Sequence, residues 1–173
     1  FYPRYTPGTD LVTAGHGERV KRLAETWRDD TAEVVVERLM GIWTQARESA
    51  ERDSPWFAQV AYILSKARGA APYIKTLRRR GASPDLLLPF IAWQAYEDPA
   101  RAPRTLLECM GVGTYRRVAV EVALVAEGLD EATIRRAVAA LGELPPNERG
   151  EALRRLYERA TMRSMPIETV RCL

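Results

Sequence analysis

At 173 residues, with 46% hydrophobic and 28% charged side chains, the chain is long enough for one domain with a sizeable core and has the ordinary balance of a globular protein. A net charge of +3 hides a strong skew, because only three of the 26 cations are lysines and the other 23 are arginines. A G+C-rich coding sequence produces such a skew without structural cause, whereas phosphate or carboxylate recognition produces it because Arg offers a planar fork of donors. No apolar run reaches the roughly 18 residues of a membrane span and no charged-then-apolar signal pattern opens the chain, so the expectation is a soluble cytoplasmic protein with no membrane partner.

Residues 1–17, opening FYPRYTPGTD, read as an extended lead-in or linker, and a start at Phe1 rather than Met suggests part of a longer chain. A short amphipathic helix is predicted from Glu18 to Arg28 through Val20, Leu23, Ala24 and Trp27. A longer one from about Thr31 to Arg52 is expected to turn Val34, Val35, Leu39, Ile42, Trp43 and Ala46 inward, with Glu33, Glu37, Arg38 and Arg47 outside. Ser54-Pro55 is a helix-start signal, with Ser at N-cap and Pro at N1. Trp56, Val60, Ile63, Leu64 and Ala67 form the next predicted buried stripe. After Gly69 a turn starting near Pro72 leads to Arg78-Arg79-Arg80-Gly81, a basic last turn with Gly at C′.

Ser83-Pro84-Asp85 repeats the start signal ahead of a strongly apolar helix to about Tyr96, with Pro89 near its first turn. Asp98-Pro99 and Pro103 read as a linker, followed by a short helix from Arg104 to Met110. The longest nearly apolar run, Gly113 to Gly128, is predicted to be a buried central helix. Its Val118, Val120, Val122 and Leu124 also alternate as a half-buried strand would, but an isolated strand among helices would lack a ladder partner. Asp130 should cap a helix to about Leu141, and Glu148 to Met162 should be an amphipathic helix with Leu153, Leu156, Tyr157 and Ala160 inside. The expectation is an all-α, orthogonal multi-helix bundle of about seven or eight helices: a single helical domain over 18–173, with lobes at 18–97 and 104–173 as the alternative division.

The inventory for catalysis is thin. His16 is the single histidine, between two glycines, and no HExxH, GxSxG, P-loop or dinucleotide fingerprint occurs. Cys109 and Cys172 lack metal or redox spacing. Glu33 and Glu37, one helical turn apart, could hold a metal, but nearby arginines make a solvated ion-paired face the better reading. The expectation is therefore a protein without a catalytic, cofactor or metal site.

The first positive signal is basic. Lys66, Arg68, Lys75, Arg78, Arg79 and Arg80 fall within fifteen residues without an intervening acid. Residues 1–53 sum to −2, residues 54–100 to +3 and residues 101–173 to +2, so positive charge is concentrated here. Lys75, Arg78 and Arg79 share one face, with Tyr62 and Tyr73 close in sequence as stacking groups for a nucleic acid. Cations in a last turn also stabilise the helix dipole, a purely structural explanation.

The second signal is Met110-Gly111-Val112-Gly113, between two predicted helices and followed by Thr114, Arg116 and Arg117. It resembles the hairpin of helix-hairpin-helix modules, and the resemblance implies that Gly111, Gly113 and Thr114 would offer backbone N–H groups to a DNA phosphate. The resemblance covers about twenty residues, and the small residue expected four positions after the second glycine is Arg117 here, with Ala119 two places late. A third cluster, Arg135, Arg136, Arg154, Arg155, Arg159 and Arg163, is interleaved with Glu131, Glu151 and Glu158 and reads as salt-laced solvent faces. The functional expectation is a non-catalytic nucleic-acid-associated domain, the accessory part of a larger replication, repair or mobile-element protein. The alternative is a protein-interaction module whose tryptophans and Leu86 to Trp93 stretch form an exposed apolar groove.

Overall fold

The computed structural model describes residues 22, 25–27, 29–48 and 55–162, and all regular structure among them is helical. Eight helices are bounded among these residues: α1 (Ala32–Glu48), α2 (Pro55–Arg68), α3 (Ala71–Arg79), α4 (Pro84–Glu97), α5 (Ala102–Met110), α6 (Gly113–Ala123), α7 (Glu131–Gly142) and α8 (Pro146–Met162). The all-α, multi-helix architecture is thus the expected one. The lead-in over 1–17, His16, the Ser54 cap, Arg163 and Cys172 lie outside the described residues, as does most of the predicted helix from Glu18 to Arg28. The chain divides into two compact units, one up to Gln94 and one from Ala95.

The first unit is built on aromatic and branched side chains from four helices. Val35, Val36 and Leu39 of α1, Phe57, Val60 and Leu64 of α2, Tyr73, Ile74 and Leu77 of α3, and Leu86, Leu87, Phe90 and Ile91 of α4 are all buried. Ring pairs join the helices: Trp43 meets Phe57 edge-on with centroids 4.8 Å apart, and Tyr73 meets Phe90 at 5.5 Å. The indole N–H of Trp93 donates to the Ala58 carbonyl at 3.3 Å, satisfying the polar end of a buried ring.

Three expectations are corrected here. Val36 is buried in place of Val34, which stays 39% exposed, because three consecutive valines span most of a turn and cannot all face one core. Ala67 is exposed at the end of α2. Leu86, Leu87, Phe90, Ile91 and Trp93 are core residues, so the apolar groove expected along this stretch is filled by the unit's own side chains.

Punctuation at α3 and α4 follows the local chemistry. Gly81 adopts φ +65, and the bonds Gly81 N–H to Arg78 O (3.1 Å) and Ala82 N–H to Leu77 O (2.9 Å) close a Schellman motif after the C-cap Arg80. Pro84 opens α4 at N1, and the helix continues through Pro89.

In the second unit α6 is the central helix, packed against α5, α7 and α8. Val118 through Val122 and Ala123 form six consecutive buried residues, more than one full turn, so α6 has no solvent face over that length. Burial all round explains why its valines also fit a strand pattern: a helix apolar on every side carries no 3.6-residue signature. The helix is shorter than expected, giving way to a turn at Leu124 before Gly128 takes φ 78. Asp130 caps α7 as predicted, accepting from the Thr133 N–H and hydroxyl, both at 2.8 Å. On α8 the predicted inward face is corrected: Ala152 is buried, whereas Leu153 is 38% and Tyr157 59% exposed.

Candidate nucleic-acid interface

The basic segment occupies the last turn of α2, all of α3 and its C-cap. Lys66 and Arg68 close α2, Lys75 stands exposed on α3, and Arg78, Arg79 and Arg80 complete the α3 terminus, where the helix dipole favours cations. α3 packs against α1, and this packing changes the electrostatics. Arg79 donates to Glu33 Oε1, Arg80 Nη2 lies 3.5 Å from Glu33 Oε2, and the Thr76 hydroxyl donates to Glu33 Oε1 at 3.2 Å. Arg80 also lies 3.8 Å from Glu37. Arg68 donates to the Asp30 carbonyl at 2.6 Å, a contact that leaves its charge uncancelled, while the Asp30 carboxylate pairs with Arg38, which stacks over Trp27.

The segment is therefore free of acid along the chain but not in space. Glu33 and Glu37, which sequence spacing alone would allow as a metal pair, face arginines instead; among the described residues no group of three or more metal-ligating side chains occurs. Withdrawal from water pushes the Glu33 carboxyl up. The hydrogen bond and charge of Arg79, with hydrogen bonds from Thr76 and Arg80, outweigh it and hold the group below the ordinary glutamate value. The predicted stacking pair is also corrected. Tyr73 is buried against Phe90, and Tyr62 packs on Trp93 with centroids 4.4 Å apart while Lys66 approaches its ring.

The Gly111 to Arg117 hairpin forms between α5 and α6. Gly111 is the C-cap of α5, Val112 is extended, and α6 begins at Gly113, so the exposed Gly113 and Thr114 carry N–H groups of a helix first turn. Neither glycine is demanded by the loop itself: Gly111 has φ −69, and a Cβ on Gly113 would meet nothing within 4 Å. The two arginines are turned inward. Arg116 donates to the Met110 carbonyl at 3.0 Å and lies 3.5 Å from Glu143, closing the hairpin on itself. Arg117 donates to Glu121 at 2.8 Å, with side chains only 16% and 9% exposed. Both of these expected phosphate contacts thus meet acids of the second unit.

On α7 and α8, Arg135 pairs with Glu131 at 2.5 Å, Arg136 with Glu143 at 2.7 Å and Arg154 with Glu151 at 2.6 Å. These are the salt-laced faces that the interleaved charges predict. The side chains of Arg155 and Arg159 lie outside the described residues. Beside these pairs Ile134 and Val138 of α7, and Leu153 and Tyr157 of α8, stand exposed one helical turn apart. Comparison of the chain with protein-family models, with curated proteins and with solved structures finds no match.

Proposed function

We propose that the chain is a non-catalytic, nucleic-acid-associated helical domain that grips phosphates with the end of α2 and with α3. The observation that carries this reading is the gathering of six cations within residues 66–80, five on two consecutive helices of one unit and Arg80 at the C-cap of the second. Arg68 binds a backbone carbonyl, Lys75 is exposed, and Glu33 and Glu37 meet Arg79 and Arg80. A surface of this kind reads backbone charge without base identity, so binding should be sequence-tolerant and should weaken steeply with salt. The hairpin at Gly111 and Gly113 ranks second, because its exposed N–H groups lack a phosphate-facing arginine.

Titrating a labelled single-stranded DNA oligonucleotide at about 50 and 200 mM salt tests the reading. The wild-type chain should bind at low salt and lose affinity at high salt. Arg78→Ala with Arg79→Ala should weaken binding to all sequences alike and flatten the salt slope. Unchanged binding in that variant, with loss on Gly113→Pro, would move the site to the hairpin.

A second reading has its own observation, the exposed apolar pairs Ile134 with Val138 and Leu153 with Tyr157. Such stripes suit a protein partner, including the remainder of a longer chain. An apolar contact of that sort is nearly indifferent to salt. Absence of DNA binding at low salt would leave this reading in place.

A further inference from the structure

The acid that meets the basic segment is held differently from Glu121 of α6. Arg117 and Glu121 pair within one helix and are nearly enclosed, as a packing element would be. Glu33, by contrast, belongs to the first turn of α1, 46 residues from Arg79, and keeps 41% of its side chain exposed. Three donors from one short helix and its C-cap converge on its carboxylate: the Thr76 hydroxyl and the guanidinium groups of Arg79 and Arg80. Thr76 is otherwise buried, and in this fold its hydroxyl is turned to the Glu33 carboxylate. A hydroxyl and two planar forks around one anionic group is the donor set that a phosphate also takes.

We infer that Glu33 is a built-in competitor for phosphate, occupying the Thr76, Arg79 and Arg80 donors until a polyanion displaces it. The inference rests on the phosphate-gripping reading above. Displacement is inexpensive, because exposed ion pairs contribute little net stability. It needs only side-chain rotation of Glu33, since Val35, Val36 and Leu39 keep α1 in the core. The functional consequence is selectivity: a single small anion competes poorly with a tethered carboxylate, whereas a nucleic-acid strand engages Lys75 and Arg68 at the same time and can drive Glu33 out.

The test is anisotropy of the same labelled oligonucleotide at low salt, with a melting curve for every variant. Glu33→Gln should tighten binding about fivefold. Glu131→Gln removes an identical charge from an exposed arginine pair on α7 and should change affinity less than about twofold. In an Arg79→Ala, Arg80→Ala background, Glu33→Gln should have no effect. If Glu33→Gln does not fold, Glu33→Asp keeps the charge but withdraws it by one methylene and should tighten binding about twofold. Equal effects of Glu33→Gln and Glu131→Gln, or tightening that persists without the two arginines, would overturn the competitor role. Wild-type binding that Glu33→Gln leaves unchanged removes the competitor and keeps the phosphate surface. If neither wild type nor any variant binds at low salt, both are overturned. Binding by Glu33→Gln where wild type shows none would be the strongest support.

Discussion

Two arginines of similar sequence character lie in different surroundings. Arg117 is drawn into the second unit with Glu121, where little water remains to support either charge if its partner is lost. Arg117→Ala should therefore destabilise the fold by about 3 kcal/mol in urea unfolding, because it removes the charge partner of a nearly enclosed carboxylate. Arg79 sits with Glu33 at the surface, so Arg79→Ala should leave the melting temperature within about 2 °C of wild type while acting on DNA affinity. A large stability loss at Arg79, or none at Arg117, would reverse the assignment of one to binding and the other to packing. Neither environment is written in the residue type; both follow from how much solvent the tertiary packing leaves around the charge.

At the scale of elements, helix ends obey their local chemistry and helix faces do not always. Pro84 at N1, Gly81 at C′ and Asp130 at N-cap each act within one turn of the chain, and each is where the sequence places it. The faces of α1 and α8 depend on what lies opposite, which is why Val36 replaces Val34 inside and why Leu153 and Tyr157 remain outside. α4 is the sharpest instance. A run rich in Leu, Phe and Trp is equally suited to an exposed partner groove and to a core, and in this fold Phe90 lies against Tyr73 with almost no exposure. Phe90→Ala should cost about 3–5 kcal/mol in denaturant unfolding, as a cavity does. A change under about 1 kcal/mol would place Phe90 at a surface instead.

Among the described residues ten arginines meet carboxylates, and carboxyls held low by arginine or helix-cap donors set an acid limit to stability. Glu33 is held low as described, Asp130 is lowered by the Thr133 backbone and side-chain donors, and Glu143 is lowered chiefly by its hydrogen bond from Arg136. For carboxyls depressed in the folded state, the stabilisation is fully present above the unfolded value of about 4 and is lost as pH falls through the lower folded values. Melting temperatures should therefore be flat between about pH 5 and 7 and fall toward about pH 3. The acid-side fall should be smaller in a chain carrying Asp130→Asn and Glu143→Gln. A melting temperature that rises on acidification would contradict the sign of all three shifts.

Local sequence was enough to read the helical class, the punctuation between helices and the burial of α6. Those features depend on neighbours a few residues apart, where caps, glycine conformations and apolar content act directly. The clustering of cations over residues 66–80 was equally legible, because charge along the chain needs no folding to be counted. Which of those cations meet acids depends on how the helices pack. Glu33 and Thr76 are 43 residues apart, and nothing in local spacing announces that α1 lays its first turn against α3. The same limit hid the inward turn of Arg116 and Arg117: whether a cation faces a phosphate or a carboxylate is settled by the helix packed beside it, and a helix face carries no mark of its distant partner until the core forms.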